Sequence, residues 1–194
     1  MLRTALLVSA LMLVVLPPAY AASPRSVDPR DFDIAGVKTG MDWNQALTAA
    51  AKHLQVAPSA FSLGLSKTHT TGAKLPGWFS YEKDGVKLVV YFEERVPFDK
   101  ARPQVVDRII YEIPDSKANR AAMEKAVLAK YGVPSNSPYD PWLWCARPQP
   151  MRACENQAEL KYWQGGVQMT LSDPAWGDAL QKIREDSKAR KPNF

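Results

Sequence analysis

Two cysteines, two histidines and a short run of carboxylates are the side chains of this 194-residue chain that could carry covalent, metal or acid–base chemistry. Cys145 and Cys154 stand in WLWCARPQPMRAC, too far apart for a C-x-x-C redox pair. A zinc site would need two further ligands, and His53 and His69 lie in distant segments, so neither a metal nor another cofactor is expected. His53 falls near the end of an expected helix, where an imidazole meets the last carbonyls and the negative end of the dipole. His69, in KTHTTGAK, is the one candidate base for Ser66, Thr68 or Thr70, although sequence neighbours seldom face each other productively. Glu93 and Glu94, with Asp99 close by, are the carboxylates that could cut a glycosidic bond. Adjacent strand residues point to opposite faces, so with Arg102 and Arg108 they read more simply as a solvated, charge-paired loop. No G-x-S-x-G, H-E-x-x-H or phosphate-cradling glycine sequence is present.

Binding chemistry is better supplied. Trp142 and Trp144 share a strand face, and the adjoining loop offers Arg147, Met151 and Arg152. Aromatic and arginine side chains are enriched where interfaces concentrate their energy. The competing reading places these tryptophans in the core, as it does Trp78 and Trp163.

The beginning of the chain bears on the sulfurs. Arg3 precedes the apolar run Ala5–Leu16, Pro17-Pro18 breaks it, and Ala19-Tyr20-Ala21 follows, the pattern of a secretory signal peptide cut after Ala21. The run is too short to span a bilayer, which takes roughly 20 apolar residues. Export to the periplasm or the medium is therefore expected, and no membrane span. In an oxidising compartment a lone cysteine pair most simply forms one disulfide, Cys145 to Cys154, that staples the loop between them. The net charge of +5 is too modest to suggest nucleic acid, and 46% hydrophobic residues exclude a disordered chain.

The elements that must position these residues read as follows. Residues 22–31 are polar and proline-bearing, a flexible lead-in. Asp42 caps a helix running to about Leu54, with Gln45 completing a capping box and Ala46, Leu47, Ala50 and Leu54 on one stripe. Residues 55–77 are interrupted by Pro58, Gly64, Gly72, Pro76 and Gly77 and read as irregular. WFSYEK and VKLVVYF around Asp84-Gly85 form a hairpin with Val86, Leu88, Val90 and Phe92 facing the core. QVVDRIIYEI is a further strand, its Val105, Asp107, Ile109, Tyr111 and Ile113 sharing a face. Ser116 caps an alanine-rich helix that stops at Gly132. Strands then follow in YDPWLWC, AELKYW and VQMTLS, and Asp173-Pro174 opens a final helix extending to about residue 190.

The order helix, then three strands, thus recurs over 32–113 and 116–172. An α+β domain over 32–194 is expected, with helices packed on one face of an antiparallel sheet and the other face partly open to a partner. The segment DIAGVKTGMDWNQAL resembles the lead into the first helix of small exported bacterial proteins of the SmpA/OmlA type and of the β-lactamase-inhibitor-protein-like fold. The matching positions are Ile34, Gly36, Val37, Gly40, Met41 and Gln45. AKYGVPS, 129–135, is similar to the helix exit of such modules. That resemblance implies helix-and-sheet modules that bind rather than catalyse. It departs in lacking the lipoprotein cysteine of the outer-membrane-assembly members.

The expectation is a non-catalytic exported protein that contacts a protein or cell-envelope partner through its sheet face and the stapled loop. The alternatives are a small envelope hydrolase using His69 or the carboxylates near Glu93, and an inhibitor or immunity protein for an exported enzyme.

Overall fold

The computed structural model describes residues 26–149 and 154–189. The expected signal segment 1–21, residues 22–25, Met151, Arg152 and the tail beyond 189 lie outside the described residues.

Helix α1 (Trp43–Leu54) begins where its capping box requires. The Asp42 carboxylate accepts from Gln45 N at 2.9 Å, and Gln45 Oε1 accepts from Asp42 N at 3.0 Å. Ala46 and Ala50 are fully buried, and such small side chains let the helix approach the sheet closely. The segment before it folds into a tight bend closed by the Ile34–Val37 bridge. Gly36 sits there at φ +77°, and a Cβ would come 3.2 Å from the Ala49 carbonyl, so the position needs glycine twice over. Gly40 N–H and the Met41 carbonyl then pair with Val106, which ties the bend to the sheet.

Among the described residues seven strands form one antiparallel sheet, in the order β1 (Ser62–Lys67), β2 (Lys74–Lys83), β3 (Val86–Glu94), β4 (Gln104–Glu112), β7 (Gln168–Ser172), β6 (Glu159–Tyr162) and β5 (Trp142–Cys145). Strands β2 (Lys74–Lys83) and β3 (Val86–Glu94) make the expected hairpin, with positive φ at both Asp84 and Gly85, the turn whose twist matches its strands. β4 (Gln104–Glu112) pairs with β3 and with β7 (Gln168–Ser172), which continues through β6 (Glu159–Tyr162) to β5 (Trp142–Cys145). Helix α2 (Lys117–Tyr131), capped by Ser116, lays Met123, Val127 and Tyr131 onto the same face as α1. The core lies between these helices and Phe79, Leu88, Val90, Phe92, Ile109, Leu160 and Leu171. Phe79 is ringed by Trp43, Phe61 and Phe92 at centroid distances of 5.3–5.7 Å. Each such pair adds about 0.5–1.5 kcal/mol beyond its buried area.

The α+β class and the antiparallel sheet are as the pattern predicts, but four particulars differ. The segment 55–77 is not irregular throughout: a 3₁₀ turn at Pro58–Ala60 leads into β1 (Ser62–Lys67), so the first unit has four strands. Glycines and prolines hide this strand from periodicity, and it exists because it pairs along β2. β4 does not alternate strictly. A bulge opposite Tyr91/Phe92 inserts one residue, so Val106, Ile109 and Tyr111 oppose core residues of β3 while Val105 and Asp107 do not. The closing helix α3 (Ala175–Ala189) does not join α1 and α2. It lies against β3 and β4 on the other face, where Val89, Val105 and Leu180 are buried outside the main core. The lead-in is docked from Ser26 onward, because Val27 N–H donates to the Cys145 carbonyl at 3.0 Å.

Candidate binding cleft

Cys145 and Cys154 form the disulfide, with Cα atoms 5.5 Å apart and both residues buried. Cys145 ends β5, so the bond fixes the start of the Cys154–Gln157 turn against the sheet. A second clamp crosses the same loop: Gln157 Oε1 accepts from Arg147 N–H at 2.9 Å, and Gln157 Nε2 donates to the Arg147 carbonyl at 2.8 Å. The backbone of Arg147 is thus held while its side chain stays exposed.

Beside this clamped turn, on the sheet face that α3 leaves open, lies a cleft of about 400 Å³. It is lined by Asp107, Arg108, Cys154–Gln157, Glu159, Ser172, Asp173 and Pro174. Three elements place its polar groups. The β4 bulge turns Asp107 away from the helix-covered core. Asp173 begins α3, its carboxylate accepting from Ala175 N at 3.1 Å, while its own N–H donates to the Asp107 carbonyl at 2.8 Å. Arg108 stands over the Tyr91 ring at 4.4 Å, which orients an otherwise exposed guanidinium.

Asp107 is the unusual member. Its Oδ1 is buried and has no hydrogen-bond partner among the described residues. Burial pushes its carboxyl above the ordinary aspartate range, Arg108 opposes this, and the charge of Glu93 adds to it. Asp107 and the oriented Arg108 guanidinium set a carboxyl group and a donor side by side in the cleft lining, which suits a ligand that presents both an acceptor and a donor, such as an extended polypeptide or an amide. The sequence pattern placed Asp107 on one strand face with Val105, Ile109, Tyr111 and Ile113. The signal that could have flagged it is an aspartate inside the otherwise apolar run VVDRII.

The structure separates the residues predicted for this surface. Arg147 is exposed near the cleft, and Met151 and Arg152 lie outside the described residues. Trp144 is corrected from contact residue to core: it has no accessible surface, and its Nε1–H donates to the Gly132 carbonyl at 3.2 Å. Trp142 is half-buried against Tyr162 and Trp144. The reason is the face they occupy, which α2 covers through Tyr131. Trp163, read as core, is 53% exposed in the turn before Gly165.

The residues weighed for catalysis do not assemble. Glu94 is buried, but its carboxylate is committed to the 68–72 loop, accepting from His69 N–H, from Thr70 N at 3.0 Å and from Thr70 Oγ1 at 2.8 Å. The imidazole-bearing His69 is exposed, and Thr68 Oγ1 is shared with Thr71 Oγ1 at 2.7 Å. Asp99 pairs with Arg102 at 3.2 Å, as expected of a charge-paired loop. His53 is exposed at the end of α1, beside a smaller apolar cleft of about 220 Å³ between the two helices. Among the described residues no group of three or more His, Cys, Asp and Glu could hold a metal ion, and no helix is long and apolar enough to cross a membrane.

The fold class is therefore α+β: a seven-stranded antiparallel sheet with two helices on one face and a third on the other. No protein-family model, curated protein or solved structure matches this chain.

Proposed function

We propose that this chain is a non-catalytic exported binding protein whose contact surface is the Asp107–Arg108 cleft, the open sheet face beside it and the stapled loop. One observation carries the reading: Asp107 and an oriented Arg108 guanidinium line one cleft next to a covalently clamped turn. Pre-fixing the loop lowers the ordering cost of binding. The partner that fits is a polar segment of a protein or cell-envelope component. An inhibitor or immunity role would be a special case of the same surface. Export is supported by the Arg3, Ala5–Leu16 and Ala19–Ala21 pattern, and by a disulfide that persists in oxidising compartments.

The test is site-specific photo-crosslinking in cell-envelope extract from positions 108 and 147, with position 128 on the outer side of α2 as control. Adducts should form from the cleft positions and fall when Asp107 is replaced by leucine or when reductant opens the loop. Adducts from position 128 alone would refute the surface. One observation favours a hydrolytic alternative: Asp107, its carboxyl pushed upward, lies within electrostatic reach of Glu93, an acid beside a second carboxylate. Glycan cleavage by purified protein that disappears in Asp107→Asn would displace the non-catalytic reading.

A further inference from the structure

We propose that this chain forms a two-fold dimer through its first strand, with Ser62–Ser66 of two copies paired antiparallel about Gly64. The two edges of the sheet are treated differently. The outer edge of β5 is filled: Ser135 N–H donates to the Leu143 carbonyl at 2.7 Å and Val27 N–H to the Cys145 carbonyl at 3.0 Å. There Leu143 N–H also donates to Asn136 Oδ1 at 2.8 Å, and Cys145 N–H to Ser135 Oγ at 3.1 Å. The outer edge of β1 has no such cover. Among the described residues no backbone group of Ser62–Lys67 bonds on the side away from β2. An open edge is a template for another strand.

The sequence of that edge says which strand. Ser-Leu-Gly-Leu-Ser reads the same in both directions, so a two-fold axis at Gly64 sets Leu63 opposite the second copy's Leu65, and Ser62 opposite its Ser66, twice over. That is the self-complementarity an isologous interface needs. Leu63 and Leu65 are two apart, share a face, and are 56% and 60% exposed, so the pairing gathers four otherwise solvated leucines into one cluster. In this register Lys67 falls opposite Phe61 of the second copy, and no like charges meet. On the face away from the leucines the Trp78 indole lies over Gly64, where a Cβ would clash with the ring at Nε1. The strand is thereby kept free of a side chain at the axis.

Sedimentation of the purified protein should show a dimer, and L63K/L65K should raise its dissociation constant more than about tenfold by removing the leucine cluster and opposing lysines across the axis. Both positions are exposed, so circular dichroism and melting of the variant monomer should match the parent. Register is read independently from Leu63→Cys and Leu65→Cys, prepared separately. Positions 63 and 65 of different copies lie directly opposite, roughly 5 Å apart, whereas like positions are offset by two residues. Disulfide-linked dimers should therefore form when the two variants are mixed and hardly at all in either alone. A protein that stays monomeric to millimolar concentration overturns the proposal, including one whose edge takes up an extended peptide instead. A dimer indifferent to L63K/L65K, or one that cross-links equally well without mixing, also overturns it.

Discussion

The covalent clamp between Cys145 and Cys154 gives the most quantitative expectation. The bond closes a loop of sequence separation 9. In the chain-entropy account, cross-linking a loop of that length stabilises the fold by about 2.7 kcal/mol. Both cysteines are buried, so alanine rather than serine is the suitable replacement, because it leaves no hydroxyl to satisfy. For a domain of this size each kcal/mol moves the melting temperature by roughly 2–4 °C. C145A/C154A should therefore melt about 5–10 °C below the parent, followed by near-ultraviolet circular dichroism. Reductant added to the parent should reproduce most of that shift, and added to the variant should do nothing. The sheet itself should survive, because β5 keeps its pairing with β6 and its outer bonds to Ser135, Asn136 and Val27. A shift below about 2 °C in both experiments would refute the reasoning, since the measured stabilisation would then be less than half of that expected. Titration of two free thiols in natively purified protein would refute it more directly.

Two further outcomes test the site and the core. Burial raises the Asp107 carboxyl in the folded protein above its unfolded value of about 3.9. The folded state therefore holds the proton longer, and this group's contribution to stability is full below the unfolded pKa and is lost as pH rises through the folded one. Asp107→Asn should raise the melting temperature at pH 7, with the gain vanishing below about pH 4; a variant less stable than the parent at neutral pH would show that a partner group holds the carboxylate. Trp144→Ala should cost about 3–5 kcal/mol in denaturant unfolding, while Trp163→Ala should stay within roughly 0.5 kcal/mol, because one ring is enclosed and the other solvated. Comparable losses at the two positions would contradict the placement of the sheet faces.

Local chemistry along the chain sufficed for much of the architecture. Asp42 and Gln45 announce α1 because a capping box is a contact between near neighbours. Asp84-Gly85 announces the hairpin because a two-residue turn admits few conformations, and Ser116 and Gly132 bound α2 for similar local reasons. The lone cysteine pair needed only the compartment argument, and the bond is formed. The indole pair at 142 and 144 shows the limit: alternation places both on one face of a strand, but whether that face meets solvent or a helix depends on where α2 lands.

The sequence by itself determined the helices with caps, the hairpin and the disulfide, all governed by interactions within a few residues of each other. Only the tertiary structure decided the rest. β1 exists because β2 lies beside it, and the β4 bulge turns Asp107 away from the helix-covered core. α3 covers the second face instead of joining the other helices, so the cleft opens where that cover ends. These depend on contacts between segments far apart in the chain, whose register and facing no local pattern encodes.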